Sequence, residues 1–423
     1  MRLFKVISAI FALACTASTF AAPAPAPVHA RIELQFSHHL DEERAERVEK
    51  FVERFNTQQK DVTVKLVRRV EGAAPKQINL ATRVEQSRFV ANKGKFKPLH
   101  EVMRDAKEPF DGAKLSPELR VGLSDAKGQL FALPVALSTP VLYFNKAAFR
   151  KAGLDPENPP KTWAQVQQAA DKLYDAGSHC PYTTSWPAWV HVDNVSALNG
   201  AEVSDAKGNL AFNGLVQVKH VAMLATWHKV KFFRYFGRRD EADRRFAAGE
   251  CGMLTSSSSI YAALYESSTL EAGVAALPYH DDVRDAPQHT LADGSSLWIA
   301  AGLKPAEYKG VARFITFLMG PETQIEMTVA GGFLPMTPVA RAAASSKLLK
   351  GDLAALHVAY AQLHGKGTLR ALRVSQIEPV RVIIDEELET VWANKKPAKE
   401  ALDNAVLRGN ALMPALLKAR LPL

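Results

Sequence analysis

Residues 31–67 read RIELQFSHHLDEERAERVEKFVERFNTQQKDVTVKLV, and this stretch decides the fold class. Ile32 to Phe36 is a short strand, followed by Ser37-His38-His39. From Asp41 to Asn56 the apolar residues Ala45, Val48, Phe51, Val52 and Phe55 recur on one helix face. Val62, Val64 and Leu66 then alternate with Thr63 and Lys65, the period of two of a returning strand. Strand, helix and strand in that order form the unit of an α/β domain.

The pattern continues outward. Phe131 to Leu137 and Val141 to Phe144 read as strands around Ser138-Thr139-Pro140. Thr162-Trp163-Ala164-Gln165 matches a capping box. The helix it opens turns Val166, Ala169, Ala170 and Leu173 inward and stops at Gly177. Cys180 to Thr184 is a strand, Asp240 to Ala248 a helix and Cys251 to Thr255 a strand. Four serines, Ser256 to Ser259, lead into a helix from about Ile260. Further strands fall at Gly273–Leu277 and Leu297–Ala300, and helices at Lys309–Met319, Val380–Asn394 and Pro397–Leu417. With 423 residues in all, and roughly 150 per domain, this predicts an α/β fold in two lobes.

The chain's 53 Lys+Arg against 44 Asp+Glu leave a charge of +9, and 47% of residues are apolar. That apolar share excludes a disordered chain. No run of five like charges and no aromatic-basic motif occurs, so a nucleic-acid partner is not expected, while a small anion suits the positive charge. The first thirty residues differ in character. Met1 to Lys5 carries two positive charges, Val6 to Ala21 is apolar and small, and Val28-His29-Ala30 is a small-x-small cleavage pattern. Residues 1–30 therefore read as a secretory signal peptide, with a retained anchor as the alternative. Export removes Cys15 and leaves Cys180 and Cys251. These form either one disulfide or two buried thiols, and the sequence leaves both open.

Catalytic motifs are missing. There is no G-x-S-x-G, no phosphate-binding Walker loop, no H-E-x-x-H and no paired C-x-x-C. His38-His39 reads as a solvated pair rather than a metal site, and Asp385-Glu386-Glu387-Glu389 as a solvated helix face. No enzyme activity, metal or cofactor is expected. What remains suits a polar ligand. The serine run lies between a strand and a helix, where it either meets an anion or caps the helix. Ser138-Thr139 sits at a strand break, and Asp293-Gly294-Ser295-Ser296 offers backbone donors or an ordinary turn. Trp186 and Trp189 are ligand platforms or core residues. Arg381, flanked by Val380 and Val382, is either in a structural ion pair or a fork for phosphate.

Ser138-Thr139-Pro140-Val141-Leu142-Tyr143-Phe144-Asn145-Lys146 and the following Ala-Gly-Leu-Asp-Pro-Glu-Asn-Pro-Pro-Lys-Thr-Trp resemble the sn-glycerol-3-phosphate-binding protein family of ABC importers. The resemblance continues through Gly249-Glu250-Cys251-Gly252-Met253, Asp285-Ala286-Pro287-Gln288 and Gly332-Phe333-Leu334-Pro335, and closes with Arg381-Val382-Ile383-Ile384-Asp385-Glu386-Glu387-Leu388-Glu389. It covers residues 130 to 415 well and the N-terminal hundred poorly. It implies a two-lobed periplasmic binding protein fold, with crossing hinge strands and a ligand cleft between the lobes. The lobes would be 31–139 with 289–328, and 140–288 with 329–423. Function is implied likewise: a monomeric periplasmic protein that captures glycerol-3-phosphate or a glycerophosphodiester and delivers it to an inner-membrane permease.

By resemblance, Ser138, Trp186, Ser257, Gly294 and Arg381 match ligand-contacting positions. Arg381 and the serines would hold phosphate, and Trp186 would cover the glycerol carbons. Two departures stand out. Arg69-Val70-Glu71-Gly72-Ala73-Ala74-Pro75 replaces a longer segment that carries a tyrosine in the family, with Glu85 as a candidate for the family's first-lobe glutamate. Phe333 stands where the family has a second tyrosine. The alternatives are a binder of a neutral sugar or oligosaccharide, a secreted hydrolase, or a docking partner without ligand.

Overall fold

Two separate sheets organise the chain. The computed structural model describes residues 31–115, 119–120, 122–125, 127–266, 270–348, 354–364 and 378–418, so residues 1–30, which read as a signal peptide in the sequence, lie outside it. Strands β1 (Ile32–His38), β2 (Val62–Arg68), β3 (Ile78–Ala81), β4 (Phe96–Lys97) and β5 (Leu133–Ser138) belong to the first sheet. Strands β6 (Pro140–Asn145), β7 (Tyr182–Thr184), β8 (Phe233–Arg234), β9 (Met253–Ser257) and β10 (Ala272–Ala276) belong to the second. Strand β11 (Asp293–Ala300) returns to the first.

The first sheet runs β2-β1-β3-β11-β4, with β5 also paired to β11. The second runs β10-β6-β9-β7-β8. Strand β1 is parallel to both β2 and β3, whereas β11 is antiparallel to β3, β4 and β5. Between β1 and β2 lies α1 (Glu42–Gln58), capped by the Asp41 carboxylate, which accepts from the Arg44 amide at 2.9 Å. Its Val52 and Phe55 enter a core with Leu34, Phe36, Val62 and Val64. The expected strand–helix–strand unit is thus present, with β1 and β2 side by side. The second lobe has its own core, built on Trp163, Tyr182, Trp227 and Phe233. The capping box at Thr162 and Gln165 opens α2 (Trp163–Asp175) as expected.

The chain passes from the first sheet to the second through one residue, Thr139, between β5 and β6. It returns between β10 and β11. The two crossings are tied together: the Thr139 hydroxyl donates to Thr290 Oγ1 at 2.7 Å. Thr139 also accepts the Ser258 amide at 2.8 Å, which brings the serine run to the same point.

Three features refine the sequence reading. Strand β11 begins at Asp293, four residues before the expected Leu297, because the polar Asp-Gly-Ser-Ser run still pairs with β5. Gly294 is required there, since a Cβ would lie 2.4 Å from the Ala136 carbonyl oxygen. Residues 69–77, between β2 and β3, contain no helix. Cys180 and Cys251 form a disulfide, which settles the choice between bridge and free thiols. It joins the approaches to β7 and β9, which run parallel as neighbours. No helix among the described residues is long and apolar enough to cross a membrane.

Candidate ligand site between the lobes

At the crossing, three serines line up. Ser257 ends β9 and donates its hydroxyl to Ser138 Oγ at 2.7 Å. Its donor is thereby committed, so its 2.7 Å contact with Ser259 Oγ must be one it accepts. The row therefore runs Ser259 to Ser257 to Ser138. Ser138, at the end of β5, also accepts from Arg83 Nη2 at 3.3 Å. Its own hydrogen has no acceptor among the described residues. The helix after the serine run, Tyr261–Glu266, is a single short piece. The hydroxyls, not a helix terminus, are what this segment presents.

Two guanidinium groups flank the row. Arg381, in α5 (Glu378–Trp392; after α3, Pro305–Met319, and α4, Pro321–Gly331), is 5% exposed. Its Nε bonds Asp193 Oδ2 at 2.9 Å and its Nη1 bonds Asp293 Oδ2 at 2.6 Å. Burial works against its charge, but Asp293, Asp193 and Glu378 outweigh it and shift its pKa upward. Arg83 lies on the turn Arg83–Glu85 after β3. Its ion pair with Asp293 is long, 3.8 Å from Nε, and its Nη1 is buried with no hydrogen-bond partner. Burial lowers its pKa, Asp293 opposes that shift and Arg381 adds to it. The guanidinium carbon sits 3.9 Å from the Trp189 ring centre and 5.0 Å from that of Trp186.

Carboxylates complete the surroundings. Asp243 accepts from the Ser185 hydroxyl at 2.6 Å, and burial pushes its pKa up to about 6. Asp385 accepts from the Ala188 amide at 3.0 Å, and burial pushes it up to about 8. Ala188 opens a π-helical turn, Ala188–Asn194, whose Asp193 reaches Arg381. Asp385 and Glu387 are buried, which corrects the expectation of a solvated acidic face: Glu387 pairs with Lys396 and Arg408.

The structure brings Ser138, Ser257, Trp186, Gly294 and Arg381 together around Arg83. The Gly294 carbonyl accepts from Gln86, three residues past Arg83, at 3.1 Å. Phe333 is half-buried and follows Gly332, which closes α4 in the left-handed region at φ 64°. Gly332 presses so close to Ser259 that a Cβ would lie 2.3 Å from its carbonyl oxygen. The Phe333 ring folds back over Gly331, where a Cβ would lie 2.5 Å from its edge. Glu85 is not brought to the cluster. One of its oxygens takes Arg69 and His39, and the other caps the Thr82 amide and hydroxyl. His38 is buried, while His39 is exposed and bonds Glu85, so only one of the two is solvated as expected.

Sequence reading missed Arg83, Asp193 and Asp243. Arg83 stands among Thr82, Val84 and Glu85 with no motif around it; only its buried place gives it meaning. Also missed was a second polar row in the second lobe. His280 Nε2 meets His220 Nδ1 at 3.0 Å, and His220 Nε2 meets His191 Nδ1 at 2.9 Å. His191 Nε2 meets the Tyr182 hydroxyl at 3.2 Å, and Tyr182 meets Thr255 Oγ1 at 2.7 Å. Thr255 donates to Thr184, whose own hydrogen goes to a backbone carbonyl. The hydroxyls fix the direction, so all three imidazoles carry their hydrogen on Nε2. Burial lowers the pKa of His191 to about 3 and of His280 to about 4. No cluster among the described residues has the form of a metal site.

Two lobes joined by crossing strands, with a polar cluster between them, define the binding-protein class. Solved structures share this fold. UgpB of Mycobacterium tuberculosis, in complex with glycerophosphocholine, superposes with TM-score 0.74 at 20% identity, covering 91% of this chain and 98% of that one. Maltose-bound MalE3 of T. maritima gives 0.72 at 16% identity, over 90% and 100%. The sequence profile of the bacterial extracellular solute-binding proteins matches residues 50–352, and the chain belongs to that family. Among its relatives, the sn-glycerol-3-phosphate-binding periplasmic protein UgpB of Pectobacterium atrosepticum is 37% identical over 92% of this chain and 93% of its own length. The protein of the same name from Yersinia pseudotuberculosis is 34% identical over 90% and 92%.

Proposed function

We propose that this protein is the periplasmic solute-binding component of an ABC importer. It captures glycerol-3-phosphate or a related glycerophosphodiester and hands it to an inner-membrane permease. The observation that carries this reading is the serine row, whose last hydrogen, on Ser138, is uncommitted beside a buried guanidinium pair. A phosphate oxygen accepts such hydrogen bonds, and bonds to a charged oxygen are roughly twice as strong as neutral ones. Ser138 and Ser257 hold phosphate together with Arg381, whose fork Asp193 and Asp293 brace. Trp186 lies beside the glycerol carbons, and Gly294 and Phe333 line the remaining walls. Glu85 contributes by fixing the turn that carries Arg83, not by touching ligand.

The lobes comprise 31–139 with 289–328, and 140–288 with 329–423, and the protein acts as a monomer. Ligand drives closure to the extent that it contacts both lobes when they are shut. The names of the relatives support the substrate class. Mass spectrometry of small molecules released by denaturing the freshly purified protein tests it. A glycerol phosphate is expected, and a released oligosaccharide would contradict the reading.

A further inference from the structure

The two cleft arginines are unequally neutralised. Arg381 has two carboxylates against it, Asp193 and Asp293, both within 2.9 Å. Arg83 has only the far contact with Asp293, at 3.8 Å, and shares that carboxylate with Arg381. Glu378 and Asp243 act on Arg83 through space, without an ion-pair contact. Arg83 is therefore the less tightly paired of the two charges. Its Nη1 is buried without a partner, on the same fork whose Nη2 bonds Ser138. An oxygen taking Nη1 is at once beside the uncommitted Ser138 hydrogen.

Arg83 also covers the aromatic faces. Its guanidinium lies over both Trp189 and Trp186, and Arg239 approaches Trp186 from 5.9 Å. Tryptophan faces attract cations, and quaternary ammonium groups are bound on such faces. Here a protein cation already occupies them. A second cation brought by a ligand would lose that surface and meet a like charge in a water-poor site, where repulsion is weakly screened.

We propose that Arg83 is the specificity-determining residue of the site. It binds the ligand's phosphate through Nη1 and, by occupying the faces of Trp186 and Trp189, excludes glycerophosphodiesters with a cationic headgroup. The preferred ligands are then phosphomonoesters and diesters without positive charge. This rests on the glycerol-phosphate reading above.

The test is calorimetric titration of the purified protein with glycerol-3-phosphate, glycerophosphoglycerol and glycerophosphocholine, repeated on Arg83→Ala and Arg83→Gln. The unmodified protein should bind the first two at least tenfold more tightly than glycerophosphocholine. Either variant should weaken glycerol-3-phosphate by tenfold or more while leaving glycerophosphocholine unchanged or tighter, so that the gap closes. Equal binding of all three by the unmodified protein, or a preference for glycerophosphocholine, overturns the inference and leaves the substrate class intact. So does an equal loss for every ligand in the variants. If neither variant folds, the discrimination by the unmodified protein still decides. Failure to bind any of the three overturns the substrate class and the inference with it.

Discussion

The molecule contains two buried, polarised hydrogen-bond rows, and they end differently. In the second lobe, His280, His220, His191, Tyr182, Thr255 and Thr184 pass donors in one direction until the last hydrogen reaches a backbone carbonyl. Every group there is neutral, and the row closes on itself. Between the lobes, Ser259, Ser257 and Ser138 also run in one direction, but the last hydrogen has no acceptor, and Arg83 Nη1 beside it has none either. Buried donors left unpaired cost stability unless something completes them. The closed row is structure, and the open one is where the proposed function places the ligand.

Removing Arg381 should show the largest effect on the open site. Arg381→Ala leaves Asp193 buried without its counter-charge, and breaking a buried pair costs about 3–5 kcal/mol. Chemical denaturation should show that loss, and glycerol-3-phosphate affinity should fall as well. An unchanged midpoint would mean that the pair with Asp193 is not what holds α5 in place.

The closed row should respond in stability alone. His220→Leu orphans His191 Nδ1 and the His280 hydrogen, at roughly 1–3 kcal/mol for each atom. Ligand affinity should not change, and a change would break the distinction between the rows. The closed row also sets an acid limit. The depressed pKa values of His191 and His280 mean that the unfolded chain takes up protons first as pH drops below 6.5. Their contribution is full above 6.5 and is lost towards pH 4. The raised pKa values of Asp385 and Asp243 act in the opposite sense, gaining stability as pH falls. Between pH 6.5 and 5 the two histidines and the two carboxylates nearly offset one another, leaving a shallow slope. Asp385→Asn should steepen it, and a flatter slope would contradict the assignment.

Smaller effects are expected within the serine row. Ser257→Ala removes the bond that orients Ser138, and one hydroxyl bonded to a charged oxygen is worth about 1.5–3 kcal/mol. Affinity should fall tenfold to a hundredfold. If the serines only cap the following helix, thermal stability will fall instead and binding will stay. Phe333→Tyr adds a hydroxyl at a position proposed to line the ligand and should tighten binding by about 0.5–1.5 kcal/mol. Titration of the variant reads this directly.

Much of the fold was legible because periodicity and capping act locally. The run from Ile32 to Leu66 and the capping box at Thr162 depend only on neighbours in sequence. Strand β11 was less legible at its start, since Asp293 to Ser296 are polar and pair only because Gly294 lets β5 approach. Ser138, Ser257, Trp186, Gly294 and Arg381 were picked out by motif, and the structure gathers them. Arg83 and the histidine row were not legible. His191, His220 and His280 are far apart in sequence, and a hydrogen-bonded row has no spacing of its own. Arg83 gains its meaning from Trp186 and Trp189 across the cleft. Asp385 misled for a related reason: helical spacing shows which residues share a face, not what packs against it.

The central claim is that the open serine row and its two arginines bind phosphate. Its most direct test is to titrate the purified protein with glycerol-3-phosphate and, in parallel, with glycerol. The account predicts saturable one-to-one binding of glycerol-3-phosphate and at least a hundredfold weaker binding of glycerol. Equal affinity for the two, or no binding of glycerol-3-phosphate, would contradict it.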